Sequence, residues 1–215
     1  MLGFFSFTEV TDPAAHHAYN EWHQLDHLPE QFSLDGVRFG QRWVCTPRCR
    51  SGRVAVSSLL APCHYMTLYL LRDADVLPGF FGLAARLGEA DRFFAARVSH
   101  LAGPFSLTGR WAAPRVGVSA DAVPFRPANG VYVVVGPEVD GADLTARAGV
   151  AGAWAFADEE GARHITVAFV DGDLPAVTAG LGEWCLRAGH VMEWAGPLER
   201  IDAYSWDWFD RLTPQ

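Results

Sequence analysis

Residues 19–43 read Tyr19-Asn-Glu-Trp22-His23-Gln-Leu-Asp26-His27-Leu-Pro29-Glu-Gln-Phe-Ser-Leu-Asp35-Gly36-Val37-Arg-Phe-Gly-Gln-Arg42-Trp43. At about 100° per residue, Tyr19, Trp22, His23, Asp26 and His27 fall on one face of a helix. An ordinary core stripe is aliphatic. This one offers two aromatic rings, two imidazoles and a carboxylate, and a buried polar stripe is unfavourable unless it is paired, hydrated or functional. Pro29 is expected to stop the helix, because the residue before a proline is pushed out of the α region. Asp35-Gly36 then turns the chain into a strand over 37–44.

Outward from this stretch the chain alternates strand and helix. An aromatic strand covers 3–9, and Asp12-Pro13 is a helix start, with Asp12 as cap and Pro13 in the first turn. Residues 46–62 read as a loop or protruding hairpin, a candidate lid. A strand covers 64–71, helical periodicity runs over 75–100, and a strand follows over 101–111. This is a β-α-β-β-α-β unit. Pro114, Pro124 and Pro127 mark 112–128 as a linker. The pattern then recurs: strand 129–135, helix 140–148, strand from Gly149, strand from His164, helix 174–188 capped by Asp173, and a strand at Trp194-Ala-Gly-Pro197 that echoes Leu101-Ala-Gly-Pro104. Three echoes in one order indicate a duplication. The expected organisation is a first repeat over 1–111 carrying the site, a linker, and a mainly structural repeat over 129–215.

The composition is that of a folded globular chain, 50% hydrophobic and 20% charged. A net charge of −8, with scattered basic residues, argues against nucleic acid or an anionic membrane as partner. No apolar run spans a bilayer, and the N-terminus lacks a leader pattern, so a cytoplasmic protein is expected. All 17 basic residues are arginines, which removes lysine chemistry. Cys45, Cys49, Cys63 and Cys185 are expected as buried thiols; a zinc site of Cys45, Cys49, Cys63 and His64 is hampered by the adjacency of the last two. No nucleotide-binding glycine pattern and no serine nucleophile elbow is present.

Trp22, His27-Leu-Pro29 and Asp35-Gly36-Val37 resemble the dimeric α/β-barrel superfamily, most of all its EthD-like and muconolactone-isomerase-like branches. Members typically read Trp-Tyr-x-x-Glu-His-x-Pro before a Pro-Gly-Val strand; here His23 stands at the tyrosine and Asp26 at the glutamate. The resemblance implies an α+β protein: two ferredoxin-like βαββαβ repeats packed as an intramolecular, pseudo-dimeric barrel with a cavity inside, as a monomer or homodimer. It implies a small-molecule enzyme, since the superfamily holds cofactor-free monooxygenases, cyclases and isomerases beside some heme proteins. The second repeat, with Asp140-Gly-Ala-Asp-Leu-Thr-Ala-Arg-Ala148, lacks the His, Trp and Pro pattern.

His27 is the first catalytic candidate, as acid/base near a helix end whose dipole would raise its pKa, with Asp26, Glu30 or Asp35 as orienter; the alternative is a capping histidine. His23 faces the same way and would join as a second acid/base group or, with Asp26, as a metal ligand. His16 and His17 are expected in solvent, and His100 as a helix cap. Tyr65, Thr67 and Tyr69 share a strand face expected to wall the barrel cavity, and Arg42 is either inward or at an exposed strand end. Trp22, Tyr19, Tyr65, Tyr69, Arg42 and His64 are the expected substrate binders. No metal or cofactor is expected; heme on a histidine or a divalent metal is the alternative. Trp206-Asp207-Trp208-Phe209 is read as a packing plug. The expected chemistry is proton transfer on an aromatic, polyketide-like or lactone-type substrate: cyclisation, isomerisation or elimination. A cofactor-free oxygenase of a phenol and a non-catalytic binder are the alternatives.

Overall fold

Alternation of inward and outward residues lets eight antiparallel strands curl into one closed barrel. The structure, a computed structural model, describes residues 1–189, 191–202 and 204; the 206–209 stretch lies outside them. The strands are β1 (Leu2–Val10), β2 (Val37–Val44), β3 (Ala55–Val56), β4 (Tyr65–Leu71), β5 (Arg97–Ala112), β6 (Gly130–Gly136), β7 (Val150–Ala157), β8 (His164–Val170) and β9 (Trp194–Arg200). Around the barrel the order is β2-β4-β1-β5-β7-β8-β6-β9, with β9 returning to β2; β3 is a short addition on the edge of β9. Each half lays its four barrel strands in the same order: fourth, first, third, second. Among the described residues six helices complete the α+β fold: α1 (His16–Trp22), α2 (Leu28–Phe32), α3 (Pro47–Ser51), α4 (Leu77–Glu89), α5 (Gly141–Thr145) and α6 (Leu174–Ala188). Among the described residues no helix is long and apolar enough to cross a membrane.

The two halves meet at unequal seams. β5 pairs with β1 over its first part and with β7 from Ser106 to Ala112. On the other side β2 and β9 share only Trp43–Arg200 and Val44–Glu199. Where β2 leaves β9, residues 54–57 take over: Val54 N–H donates to Ala195 C=O (2.9 Å) and Ser57 N–H to Glu193 C=O (2.8 Å). Residues 46–62 are therefore no lid over a barrel cavity; they complete the β9 edge. Thr46 caps α3 by accepting from Cys49 N–H, and Thr46 and Arg48 both bind Glu199. The linker is also structured: short 3₁₀ turns cover Pro114–Val116 and Ala120–Phe125, Val123 is buried, and Ala120 C=O accepts from Trp154 Nε1.

The barrel interior is filled, contrary to the expected cavity. Cross-strand register sets Phe5 opposite Leu68 and Phe7 opposite Met66, and groups Val133, Val167 and Trp154. Phe156 packs edge-on to Phe5 (5.0 Å), and Trp194 edge-on to Phe7 (5.7 Å). An eight-stranded barrel is only wide enough for side chains to fill it.

The helix begun at Asp12 and Pro13 does not end at Pro29. His23–His27 form a π-helical turn, and Leu28 N–H reaches His23 C=O; α2 then runs on to Phe32. The widened turn shifts the backbone pairing by one residue and relieves the clash a proline ring has with the carbonyl four residues back. The Asp35-Gly36 turn is present, with Gly36 at φ +92°. The second helix is shorter than its periodicity: α4 stops at Glu89, and Asp91 takes a left-handed φ of +54°. His100 is hence no helix cap; it lies in β5, 2.7 Å from Glu9 Oε2.

Candidate active site

The outer face of β4, β1 and β5 carries the candidate site. On β1, Phe4, Ser6 and Thr8 alternate outward while Phe5 and Phe7 point into the barrel; on β4, Thr67 and Tyr69 do the same. Tyr65, Thr67 and Tyr69 thus face the helix layer, not the barrel interior: alternation sorts side chains into two sets without saying which set is enclosed. Between this face and the helices lies a cavity of about 200 Å³, lined from one side by Tyr19, Trp22, His23, His27 and Gln31, from another by Phe80, Phe81 and Phe93, and at its β5 edge by Arg97 and Ser99.

The expected residues separate into three groups. Tyr19, Trp22, His23, His27 and Tyr69 line the cavity. Arg42 and Tyr65 lie directly behind it: the Arg42 guanidinium sits 5.1 Å from the Tyr19 ring centre and 5.3 Å from that of Tyr65. Asp26 and His64 stand apart. Arg92 holds both Asp26 (2.6 Å) and Glu30 (2.7 Å), and Arg72 holds Asp35 (3.0 Å), so every expected orienter of His27 is engaged elsewhere. His64 accepts from Val10 N–H through Nδ1, outside the cavity.

His27 stacks on Trp22 at 4.8 Å and 23°, and its ring meets His23 edge-on at 5.1 Å. Its pKa is lowered to about 4, the reverse of the expected helix-dipole effect: burial dominates, and Arg97 adds to it while Asp26 opposes. His23, 4% exposed, is held well below the ordinary range by burial, then by Arg42 and His27. Both imidazoles are neutral at pH 7. Burial pushes the Tyr69 hydroxyl well above its ordinary value, so it stays protonated and a donor.

Sequence reasoning missed Asn20, Gln31 and Arg97 and misplaced His16. His16 is buried, with Nδ1 2.8 Å from Tyr65 Oη. Asn20 donates to the same hydroxyl (3.0 Å) and accepts from Arg42 Nη2. The spacing His16, Asn20, His23, His27 is itself a helical stripe, and that periodicity could have revealed the network. Buried polar atoms without a partner gather here: His23 Nδ1, His27 Nδ1, Gln31 Oε1, Tyr69 Oη and Arg97 Nε all belong to lining residues. Native interiors pair nearly all such groups, so a cluster of orphans marks a place for a polar ligand or water.

A larger groove, about 410 Å³, lies between α6 and residues 48–54, but none of those orphaned atoms belongs to its lining. The thiols of Cys45, Cys49 and Cys63 are buried around Arg53, whose Nη2 donates to Cys45 Sγ (2.9 Å) and Cys63 C=O. Burial pushes Cys49 and Cys63 up to about 12, so both are protonated thiols.

Neither heme nor a divalent metal suits the N-terminal cavity. About 200 Å³ is below the roughly 300–1,000 Å³ of drug-sized ligand pockets, and a porphyrin is larger still. For a metal, the two histidines find no carboxylate in the lining, and two guanidiniums stand near them.

The histidines carry a stability signature. Between pH 6.5 and about 4 the unfolded chain binds a proton at residue 27 that the folded chain does not, so stability present above pH 6.5 is lost as pH falls through that window. A shift of this size is worth on the order of 3 kcal/mol. His64, lowered to about 3 by burial and then by His16, adds in the same direction. Urea midpoints measured from pH 7 to 4.5 are expected to fall steeply in the wild type and less in His27→Gln; equal slopes would rule the assignment out.

No protein-family model matches the chain, and no curated protein matches it. Among solved structures it is similar to one described as a "putative chlorite dismutase", over 99% of both chains at 11% identity and a TM-score of 0.54. It is also similar to a "putative monooxygenase" from Lactobacillus acidophilus, over 93% of this chain and 94% of that one (9% identity, TM-score 0.43), and to HapK from Hahella chejuensis, over 51% and 94% (16%, 0.34). The first likeness is one of fold, the dimeric α/β barrel.

Proposed function

We propose that the chain is a cofactor-independent enzyme that moves a proton on an aromatic, polyketide-like or lactone-type small molecule, with His27 as acid/base group and His23 beside it. The observation that carries this reading is the pair of neutral, buried imidazoles with unpartnered Nδ1 atoms in an aromatic-walled cavity. A neutral imidazole accepts a proton. The imidazolium formed in this buried, cation-flanked site is a strong acid and returns the proton quickly, which suits reactions whose proton donor and acceptor belong to one substrate: isomerisation, cyclisation or elimination. Tyr69 donates a hydrogen bond to the substrate oxygen, and Trp22 fixes the His27 ring plane by stacking. In the same reading the chain is a tandem duplication, a ferredoxin-like repeat over 1–111 and another over 129–215, of the EthD-like kind. It works in the cytoplasm as a pseudo-dimeric monomer or a homodimer of such chains, without a nucleic-acid or membrane partner. The second repeat completes the barrel.

Turnover of phenolic and polyketide-like compounds in D₂O is the test. Deuterium is expected to enter the product at one carbon position, with no oxygen consumed. Stoichiometric oxygen uptake would replace this reading with that of a cofactor-free monooxygenase.

A further inference from the structure

The cavity's charge is at odds with that of the protein. The chain carries a net charge of −8, yet no aspartate or glutamate lines the cavity. Arg97 lines it, half-buried, with its guanidinium 5.1 Å from the Phe93 ring centre and 5.6 Å from that of Trp22. Arg42, 2% exposed, stands behind Tyr19 with Nε and Nη1 unpartnered. Among the described residues neither arginine forms an ion pair, although nine others do. Arg97 Nε–H has no acceptor either, and Nη1 leads into a run of hydroxyls: Ser99 (3.2 Å), then Ser6 (3.1 Å), then Thr8 (3.1 Å). Buried charges are ordinarily compensated by a partner of opposite sign. The fold supplies one cation in the lining and a second behind it, with aromatic walls and protonated donors, but no anion in the lining.

We infer that the ligand supplies the anion: the cavity takes a flat aromatic or conjugated acid, its carboxylate, phenolate or enolate oxygen set against Arg97 Nε and Tyr69 Oη. This rests on the cavity being the small-molecule site proposed above and adds the charge of what enters it. Arg97 makes the direct, charge-assisted bond, and the ring stacks among Trp22, Phe80 and Phe93. Arg42 does not reach the lining; it contributes a fixed positive field through Tyr19 and His23. The bound anion has a catalytic consequence. Opposite charge nearby favours imidazolium, so a ligand of this class lifts His27 from about 4 toward the range where a general base works best. A neutral ligand leaves it a weak base.

The test is calorimetric titration at low salt and pH 7.5 with 1-naphthoate and with 1-naphthalenemethanol, which share a ring system and differ in charge. Naphthoate is expected to bind at least tenfold more tightly, with an affinity that falls as salt rises. Arg97→Gln is expected to erase the preference while leaving the alcohol's Kd unchanged, and Ala84→Trp, which fills the cavity from α4, to abolish both. If Arg97→Gln melts out, Arg97→Lys, which keeps the charge and loses the Nε–H, is expected to retain part of the preference. Equal affinity for the two probes, or a preference that survives Arg97→Gln, overturns the inference and leaves the cavity a neutral small-molecule site. Failure of both probes to bind, or binding that survives Ala84→Trp, overturns it together with the cavity's role.

Discussion

His27→Ala is expected to lower kcat/KM by about 10²–10⁴-fold on the compound that a turnover screen identifies, the usual loss when a positioned acid/base group is removed. The effect should fall on kcat more than on KM, because in the proposed mechanism the imidazole acts on the proton in flight while Trp22, Tyr69 and Arg97 bind the ring and its oxygen. Added imidazole is expected to restore part of the rate, since truncation leaves a slot beside Trp22 of the shape that was removed. Asp26→Asn is the informative contrast. Its carboxylate belongs to Arg92 on a partly exposed surface, where such pairs are worth about 0–1 kcal/mol, so the rate should stay within about fivefold of wild type. Turnover untouched by His27→Ala, or as damaged by Asp26→Asn, would remove His27 from the mechanism.

The largest stability effect is expected from the barrel interior. Phe156 is fully buried and packs against Phe5, with its ring edge also meeting Gly3, where a Cβ would lie 2.7 Å away. Phe156→Ala removes a large ring from a site with no room to collapse and should cost about 3–5 kcal/mol. For a chain of this size that corresponds to a fall in Tm of roughly 10 °C or more. Phe81→Ala, at the cavity rim and 48% exposed, is expected to change Tm little. Thermal melts of the two variants measure the difference. Similar shifts would mean that the barrel is not the stability core.

The parts of this fold legible in the sequence are those governed by local rules. Asp12 and Asp173 cap helices because their side chains reach backbone N–H groups nearby, as read, and Asp140 does the same. Gly36 sits in a left-handed turn that its sequence position required. What could not be read depends on long-range packing. Pro29 follows a rule about its predecessor, and a π turn circumvents it. Residues 92–96 continue the apparent helical periodicity but follow left-handed Asp91, so Arg97 was hidden in an apparent helix instead of at the start of β5. The His27 stripe was visible; its titration was not, because the groups that set it, Arg97 and Arg42, come from other elements.

The unequal seams leave an edge of β9 that residues 46–62 cover. A strand whose outer amides and carbonyls find no neighbour is a template for another chain, and natural barrels escape this by having no edge. β2 covers only the last residues of β9. Without β3, the stretch Glu193–Ala195 would offer open backbone beside buried Trp194, an aggregation-prone combination. The insertion occupies that edge, and Arg53 reaches inward to lie 3.8 Å over the Trp194 ring. It is a gatekeeper: a few residues that finish the hoop where two halves of unequal grip fall short of closing it.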